Sequence, residues 1–147
     1  MEIVRRYRVL FVCIGNACRS QMAEAFARKH ASDVIEPSSC GIRPCEMIAP
    51  STREFMLEKG IDLDGCTPKG FDTTGFDYDL IVNMSGFELP RTVRARILTW
   101  PVEDPYWVGD RRHREIRDEL ENRVKVLADE LRKSLIRFDT PDVREAQ

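Results

Sequence analysis

The chain has 147 residues, 42% of them hydrophobic, and a formal net charge of −2, which fits one domain over residues 1–147 with a sizeable core. Its basic residues are interspersed with acidic ones, which argues against nucleic-acid binding. Near the N-terminus the longest apolar run, Val9 to Ile14, is too short for a membrane span or a secretory signal, so we expect a cytoplasmic protein without a membrane anchor.

The first predicted element is a strand over Tyr7 to Val12, where the apolar residues are mostly β-branched or aromatic. Helix-forming residues such as Met22, Ala23 and Ala25 follow shortly afterwards, so the strand turns sharply into a helix. Such a junction points several backbone N–H groups into one concavity, where the positive end of the helix dipole adds to their field. This geometry favours a bound tetrahedral anion.

The segment that joins strand and helix combines a thiol with groups that bind oxyanions, and we call residues 13–20 the cradle. Gly15 and Asn16 tolerate the left-handed backbone conformations that converging amides require. Arg19 offers a planar fork to two oxygens of the anion. Cys13 lies in an electropositive field that favours its thiolate, and Ser20 is near enough in sequence to donate a hydrogen bond to that sulfur. No Gly-Lys-Ser/Thr follows, so the segment is not the P-loop of nucleotide hydrolases.

Downstream, short apolar runs alternate with helical patterns. The predicted elements are strands over Asp33–Cys40, Asp79–Met84 and Arg96–Trp100, a helix from near Pro50 to a stop at Gly60, and a short helix over Phe87–Val93. In the final predicted helix the apolar residues recur three or four apart, namely Ile116, Leu120, Val124, Leu127 and Leu131, and the tail after Arg137 is expected to fray. The alternation predicts a three-layer α/β fold, in which a four-stranded, mainly parallel twisted sheet carries helices on both faces.

A second chemical element follows the last predicted strand, on the same rim of the sheet as the cradle. Asp104 is the candidate general acid, and Pro105 restricts the backbone at Asp104 to extended geometry, which would fix the direction of its carboxyl group. Tyr106 and Trp107 could wall a slot for a flat leaving group. The alternative is a turn before the last helix, with the aromatic side chains as part of the core.

The cysteines form no CxxC pair, and their odd number argues against a disulfide framework, so we expect free thiols in a reducing compartment. They are Cys13, Cys18, Cys40, Cys45 and Cys66. The two histidines have no ligand-like spacing: we expect His30 at a helix end and His113 on the solvated side of a helix. The sequence therefore predicts no metal site and no cofactor.

Two motifs resemble the low-molecular-weight protein tyrosine phosphatases. They are Val12-Cys13-Ile14-Gly15-Asn16-Ala17-Cys18-Arg19-Ser20 with Met22-Ala23-Glu24, and Asp104-Pro105-Tyr106. The Gly60-Ile61-Asp62-Leu63 stretch and the closing amphipathic helix also match, so the resemblance spans nearly the whole chain.

The resemblance implies a role for each matched residue. Cys13 would be the nucleophile that forms a phosphocysteine intermediate, Arg19 the phosphate clamp, and Asp104 the acid and then the base. Ser20 would stabilise the thiolate, and the amides would come from Ile14, Gly15, Asn16, Ala17 and Cys18, with Asn16 also shaping the loop. Tyr106 and Trp107 would lie beside the phenyl ring of phosphotyrosine, and Cys18 would form a reversible disulfide with Cys13.

The chain departs from the phosphatase pattern at several positions. Gln21 replaces the usual proline, and with Thr67-Pro68-Lys69 it resembles the thioredoxin-coupled arsenate reductases instead. Those reductases use two further cysteines, the first just after the third strand, but this chain has Ser85 there and no cysteine after Cys66. The phosphatase branch normally has aspartate at Ser85 and a histidine near Cys66.

These features predict a protein tyrosine phosphatase that hydrolyses phosphotyrosine proteins or small aryl phosphates, with a monomer favoured. One alternative is an arsenate reductase that uses an external low-molecular-weight thiol, because it would not need the missing cysteines. Another is a non-catalytic sensor of phosphate or redox state that uses Cys13 and Cys18.

Overall fold

The computed structural model describes residues 5–71, 77–90, 95–136 and 138. Its elements are β1 (Tyr7–Cys13), α1 (Arg19–His30), β2 (Ile35–Gly41), α2 (Pro50–Leu57), β3 (Leu80–Asn83), β4 (Arg96–Thr99) and α3 (Asp110–Arg132). The four strands are parallel and lie in the order β2-β1-β3-β4. The predicted α/β class with a four-stranded parallel sheet is confirmed.

The register brings the carboxyl ends of the strands to one edge of the sheet. Cys13, the last residue of β1, pairs with Gly41 at the end of β2, and Val12 pairs with Asn83 at the end of β3. Asn83 in turn pairs with Thr99 at the end of β4. The loops that follow all four strands therefore meet beside Cys13, as expected for a ligand site in a parallel sheet.

Alternate residues of β1 belong to two separate cores. Val9 and Phe11 point into the larger one, which contains buried residues of all three described helices: Met22 and Phe26 of α1, Met56 of α2, and Leu120 and Leu127 of α3. Leu10 and Val12 point to the other side, where they pack with Ile81, Ile97 and Leu89. Burial on both faces explains why the strands are almost continuously apolar.

Most predicted boundaries agree with the structure to within two residues. Gly60, predicted to stop the second helix, has a φ of 75°, and the N–H of Ile61 bonds the carbonyl of Met56 at 3.0 Å. The predicted helix over Phe87–Val93 is wrong for its described part, because residues 87–90 contain no helix and residues 91–94 lie outside the described ranges. Instead, Asn83 Nδ2 donates to the carbonyl of Phe87 at 2.8 Å and holds a turn there.

Of the two histidines, His30 lies where the sequence predicts and His113 does not. His30 ends α1 as expected, and its Nε2 lies 2.8 Å from Glu121 Oε2. The prediction that His113 is solvated is wrong, since His113 is only 4% exposed. It lies three residues before Ile116 and seven before Leu120, so it belongs to the buried stripe of α3.

The tail expected to fray after residue 137 lies, apart from residue 138, outside the described residues. In the ranges that the structure describes, no helix combines the length and the apolar character needed to cross a bilayer.

The closest backbone approach at the site edge predicts that Gly41→Ala is destabilising. A Cβ at Gly41 would lie 2.7 Å from both Asn16 N and Ile14 O, two backbone atoms of the cradle that cannot easily move aside. We expect the free energy of unfolding to fall by roughly 1–3 kcal/mol, as for other overpacked sites, measured by urea denaturation. Gly70→Ala is the matched control, because its Cβ would meet Pro44 Cγ at an ordinary 3.5 Å. Equal losses in the two variants would contradict the prediction.

Candidate active site

Cys13 ends β1 with its side chain buried against the first turn of α1. Its Sγ lies 2.9 Å from Ser20 Oγ, and Ser20 Oγ also accepts a hydrogen bond of 2.7 Å from Asn16 Nδ2. Because the Asn16 amide already donates to this oxygen, the hydroxyl proton of Ser20 is free to point at the sulfur. The Ser20 hydroxyl is therefore placed to donate a hydrogen bond to the Cys13 sulfur.

Asn16 fixes the shape of the cradle from beneath. It is fully buried and has a φ of 52°, a left-handed conformation that asparagine tolerates better than most residues. Its Oδ1 accepts hydrogen bonds from Gln21 Nε2 at 2.9 Å and from the backbone N–H of Lys69 at 2.8 Å. With the bond to Ser20, the side chain makes three hydrogen bonds inside the protein.

Gln21 links the cradle to the segment around residue 67. Its Nε2 donates to Asn16 Oδ1 and also to the carbonyl of Thr67 at 3.2 Å. In the sequence, Gln21 and Thr67-Pro68-Lys69 mark departures from the phosphatase pattern, without an evident role in the site. In the structure they belong to one hydrogen-bond network, which joins segments 46 residues apart and therefore leaves no local sequence signal.

The loop after β2 turns the peptide groups of the cradle inward. The N–H groups of Ile42 and Arg43 bond the carbonyls of Cys13 and Ile14, at 3.1 and 2.8 Å. The N–H groups of Cys45 and Ala49 do the same for Gly15 and Ala17, at 2.9 and 3.2 Å. In a trans peptide the N–H points opposite to the C=O, so the amides of Ile14, Gly15, Asn16 and Cys18 point away from the loop after β2. Backbone N–H groups turned to one side at the start of a helix are able to bind an anion.

Arg19 is held in one orientation by the loops that follow β3 and β4. Its Nη1 donates to the carbonyls of Met84 at 2.6 Å and Val102 at 2.9 Å, and the side chain is buried. Its Nη2 lies 3.6 Å from Asp104 Oδ2. The guanidinium is therefore oriented before any ligand binds, which lowers the entropic cost of clamping an anion.

Asp104 reaches the mouth of the cradle through this contact with Arg19. Its Oδ1 accepts a hydrogen bond from the Tyr106 N–H at 3.0 Å, which fixes the carboxyl group, and the side chain is about half exposed. Glu103 instead pairs with Arg112 at 2.9 Å. Of the two neighbouring carboxylates, Asp104 therefore faces Arg19, whereas Glu103 faces Arg112.

Tyr106 and Trp107 stand at the outer rim rather than in the core. They are 56% and 91% exposed, and their rings meet edge to face with centroids 4.8 Å apart. Beside them is a cavity of about 200 Å³ that Pro50, Ser51 and His113 also line. The alternative in which these aromatics contribute to the core does not match their exposure.

Cys18 has a different environment from Cys13. Burial raises the pKa of the Cys18 thiol to about 11, although a hydrogen bond with the Thr52 hydroxyl acts in the opposite direction. Charge on Cys13 and Asp104 raises it further, which places both groups near Cys18. At neutral pH Cys18 is therefore a thiol.

Ser85 stabilises the turn that positions the partner of Arg19. Its Oγ donates to Asn83 Oδ1 at 2.6 Å and accepts from the Phe87 N–H at 3.1 Å, directly after Met84, whose carbonyl binds Arg19. Ser85 stands where the phosphatases normally have aspartate, and it supports Arg19 through the backbone of Met84. Among the described residues, no group of three His, Cys, Asp or Glu side chains is placed to hold a metal ion.

The chain is similar in sequence to a phosphatase family, and in sequence and fold to named arsenate reductases. The sequence profile of the low molecular weight phosphotyrosine protein phosphatases matches residues 8–137. A glutaredoxin arsenate reductase of Synechocystis sp. is 34% identical over 125 residues, covering 82% of this chain and 95% of that protein. A putative arsenate reductase of Halobacterium salinarum is 37% identical over 129 residues, covering 82% and 89%. The solved structure of an arsenate reductase in the phosphate binding state superposes with a TM-score of 0.77 at 32% identity, covering 85% and 98%.

The Asn16 network predicts different costs for two substitutions. Asn16→Ala and Asn16→Gly both remove the three side-chain hydrogen bonds, but only alanine is strained at a φ of 52°. We expect Asn16→Ala to lower the free energy of unfolding by about 1–2 kcal/mol more than Asn16→Gly does, from urea denaturation. Equal losses would mean that the left-handed conformation relaxes in the variants.

Proposed function

The chain belongs to the low molecular weight phosphotyrosine protein phosphatase family, and we propose that within it the protein is an arsenate reductase that takes its electrons from an external low-molecular-weight thiol. The observation that carries this proposal is the contact between Gln21 and the segment at Thr67 and Lys69, both joined to Asn16. These are the positions where the sequence resembles arsenate reductases rather than phosphatases, and they form the base of the cradle.

The similarity to named arsenate reductases supports the same reading. Relatives that are 34% and 37% identical over four-fifths of the chain carry that name. One similar solved structure is of an arsenate reductase in a phosphate binding state. Arsenate and phosphate are both tetrahedral oxyanions, so a cradle of inward amides with one oriented guanidinium accepts either.

The proposed reaction begins with arsenate in the cradle, its oxygens bound by amides and by Arg19. The Cys13 thiolate attacks arsenic, a sulfur–arsenic bond forms, and one arsenic–oxygen bond breaks. Asp104, at the mouth of the cradle, gives its proton to the departing oxygen, which leaves as water. Ser20 stabilises the thiolate before the attack.

The electrons that reduce arsenic cannot come from two cysteines further along the chain, as they do in the thioredoxin-coupled reductases. The sequence has no cysteine after Cys66, and Ser85, which lies just after β3, engages its hydroxyl with Asn83. A hydroxyl cannot replace a thiol in this step. Two molecules of a small external thiol, which end joined as one disulfide, supply the two electrons that reduce arsenic(V) to arsenic(III).

A second candidate function, hydrolysis of aryl phosphates through a phosphocysteine, is favoured by the outer rim. Tyr106, Trp107 and the adjoining cavity of about 200 Å³ could hold a flat leaving group. Asp104, which accepts a hydrogen bond from the Tyr106 N–H, would protonate it. Phosphatase activity has support from the family description, whereas the relatives reported above are named reductases. A phosphotyrosine protein as substrate, the monomeric state, the cytoplasmic location and the single domain over residues 1–147 stay predictions.

Arsenite release tests the proposed function. The purified protein with arsenate and glutathione should release arsenite, and Cys13→Ser should abolish this release because the oxygen is a far weaker nucleophile. Cys66→Ser, a change in a half-buried thiol outside the cradle, is the matched control and should remain active. Hydrolysis of p-nitrophenyl phosphate without arsenite release would identify the phosphatase instead. Phosphate binding without either reaction would support the sensor.

The general acid gives a second prediction for the same assays. Asp104→Asn keeps the shape but removes the proton, so kcat should fall by about 10²–10⁴-fold. Glu103→Gln changes the neighbouring carboxylate, which pairs with Arg112, and should have a small effect. Similar losses in the two variants would contradict the assignment of Asp104.

A further inference from the structure

Three buried side chains from three different elements form a continuous hydrogen-bonded row behind the cradle. Cys18 precedes α1, Thr52 lies in the first turn of α2, and His113 lies in the first turn of α3. The Thr52 hydroxyl bonds the Cys18 sulfur, and its Oγ1 lies 3.0 Å from His113 Nε2. Each of the three residues is more than nine-tenths buried.

The single proton of the Thr52 hydroxyl restricts this row to two arrangements. If the hydroxyl donates to His113 Nε2, Thr52 Oγ1 is free to accept from the Cys18 thiol. If the hydroxyl donates to a Cys18 thiolate, the oxygen accepts from a protonated Nε2. The two arrangements differ by one proton moved from Cys18 to His113, so the row has the form of a proton relay.

The surroundings of His113 keep it neutral and therefore able to accept a proton. Burial lowers the pKa of His113 below its usual 6.5, and Arg117 on the same helix acts in the same direction. Asp110 on α3 and Asp104 in the preceding loop oppose this shift. On the α2 side, His113 faces the ring of Phe55 at 4.9 Å and Ser51 Oγ, 3.5 Å from Nδ1, neither of which carries a charge.

The proton also has a route to solvent. Cys18 and His113 both line the cavity of about 200 Å³ beside Tyr106 and Trp107. A proton accepted at Nε2 can therefore leave through the imidazole to water in this cavity, or to a product released from the cradle.

We propose that Thr52 and His113 form a proton relay that converts Cys18 into the attacking thiolate, so that Cys18 is the second thiol of the reaction at Cys13. The proposal rests on the proposed function for its substrate. The Cys18 thiolate attacks the Cys13 sulfur that carries arsenic, and a sulfur–sulfur bond forms. The sulfur–arsenic bond breaks with its electron pair on arsenic, which becomes arsenic(III), and the proton from Cys18 passes through the relay to the arsenite. An external low-molecular-weight thiol then reduces the disulfide.

The relay also explains how two thiols of opposite reactivity share one loop. With a pKa of about 11, Cys18 keeps its proton at rest and does not compete for the anion. Since His113 holds a proton less strongly than Cys18 does, the proton moves as the attack proceeds rather than beforehand. Cys18 therefore reacts only when the Cys13 sulfur carries a group, such as the arsenic adduct, that the attack can displace.

The test uses hydrogen peroxide, so that it does not depend on arsenate reduction. Peroxide converts the Cys13 thiolate into a sulfenic acid, and the attack of Cys18 then forms a disulfide and releases water. Dimedone traps the sulfenic acid that Cys18 has not yet attacked. Both cysteines lie in the tryptic peptide from Val9 to Arg19, so mass spectrometry gives the ratio of disulfide to trapped product directly.

Thr52→Val and His113→Gln should lower this ratio by about 10²-fold or more near pH 7, as for loss of a general base. Thr52→Ser retains the hydroxyl, so its ratio of disulfide to trapped product should be close to that of the wild-type protein. In the wild-type protein the ratio should stay nearly level above pH 7, because His113 is already neutral. In the two relay variants it should rise roughly tenfold per pH unit, because hydroxide must then remove the proton.

Two results would overturn the relay. One is an unchanged ratio in both Thr52→Val and His113→Gln, and the other is a wild-type pH profile as steep as that of the variants. If one variant fails to fold, judged by its urea unfolding curve, the pH profile of the other decides. Loss of arsenite release from the wild-type protein, with the peroxide results as expected, would refute the proposed function and leave the relay standing.

Discussion

The left-handed backbone of Asn16 is the constraint on which the rest of the site depends. A strand can turn into a helix within five residues only if the chain reverses sharply, and this reversal occurs at a residue with a φ of 52°. The side chain of the same residue bonds Ser20, Gln21 and the backbone of Lys69. Asparagine is suited to both tasks, because its short amide stabilises the turn and supplies a donor and an acceptor at once.

Arg19 connects this turn to the far side of the sheet. Its Nη1 is shared by the carbonyls of Met84 and Val102, which follow two different strands. The sheet order places β3 and β4 on the same side of β1, so these carbonyls converge at the start of α1. The loop that carries Asp104 is consequently held over the cradle by the residue proposed to clamp the anion.

Sequence patterns predicted the elements whose signal is local. The strand before Cys13 and the apolar stripe of α3 follow from short-range periodicity, and Asp104 reaches the cradle because strand ends of a parallel sheet share an edge. The missed features depend on contacts between distant segments. His113 is predicted to be solvated because its neighbours in sequence are charged, yet it packs against Phe55 and Thr52. The importance of Gln21 depends on a carbonyl 46 residues away, which no local pattern contains.

The two cysteines of the cradle show how the fold separates the chemistry of identical side chains. Cys13 ends a strand and faces the Ser20 hydroxyl, a hydrogen-bond donor 2.9 Å from its sulfur. Cys18, five residues later, faces the base of α2, where burial favours the neutral thiol. A chain that lacks downstream cysteines can therefore retain two thiols with distinct roles in one turn. In the proposed mechanism, the different environments of Cys13 and Cys18 give the two thiols their separate roles. A longer thiol relay would instead use cysteines from distant parts of the sequence.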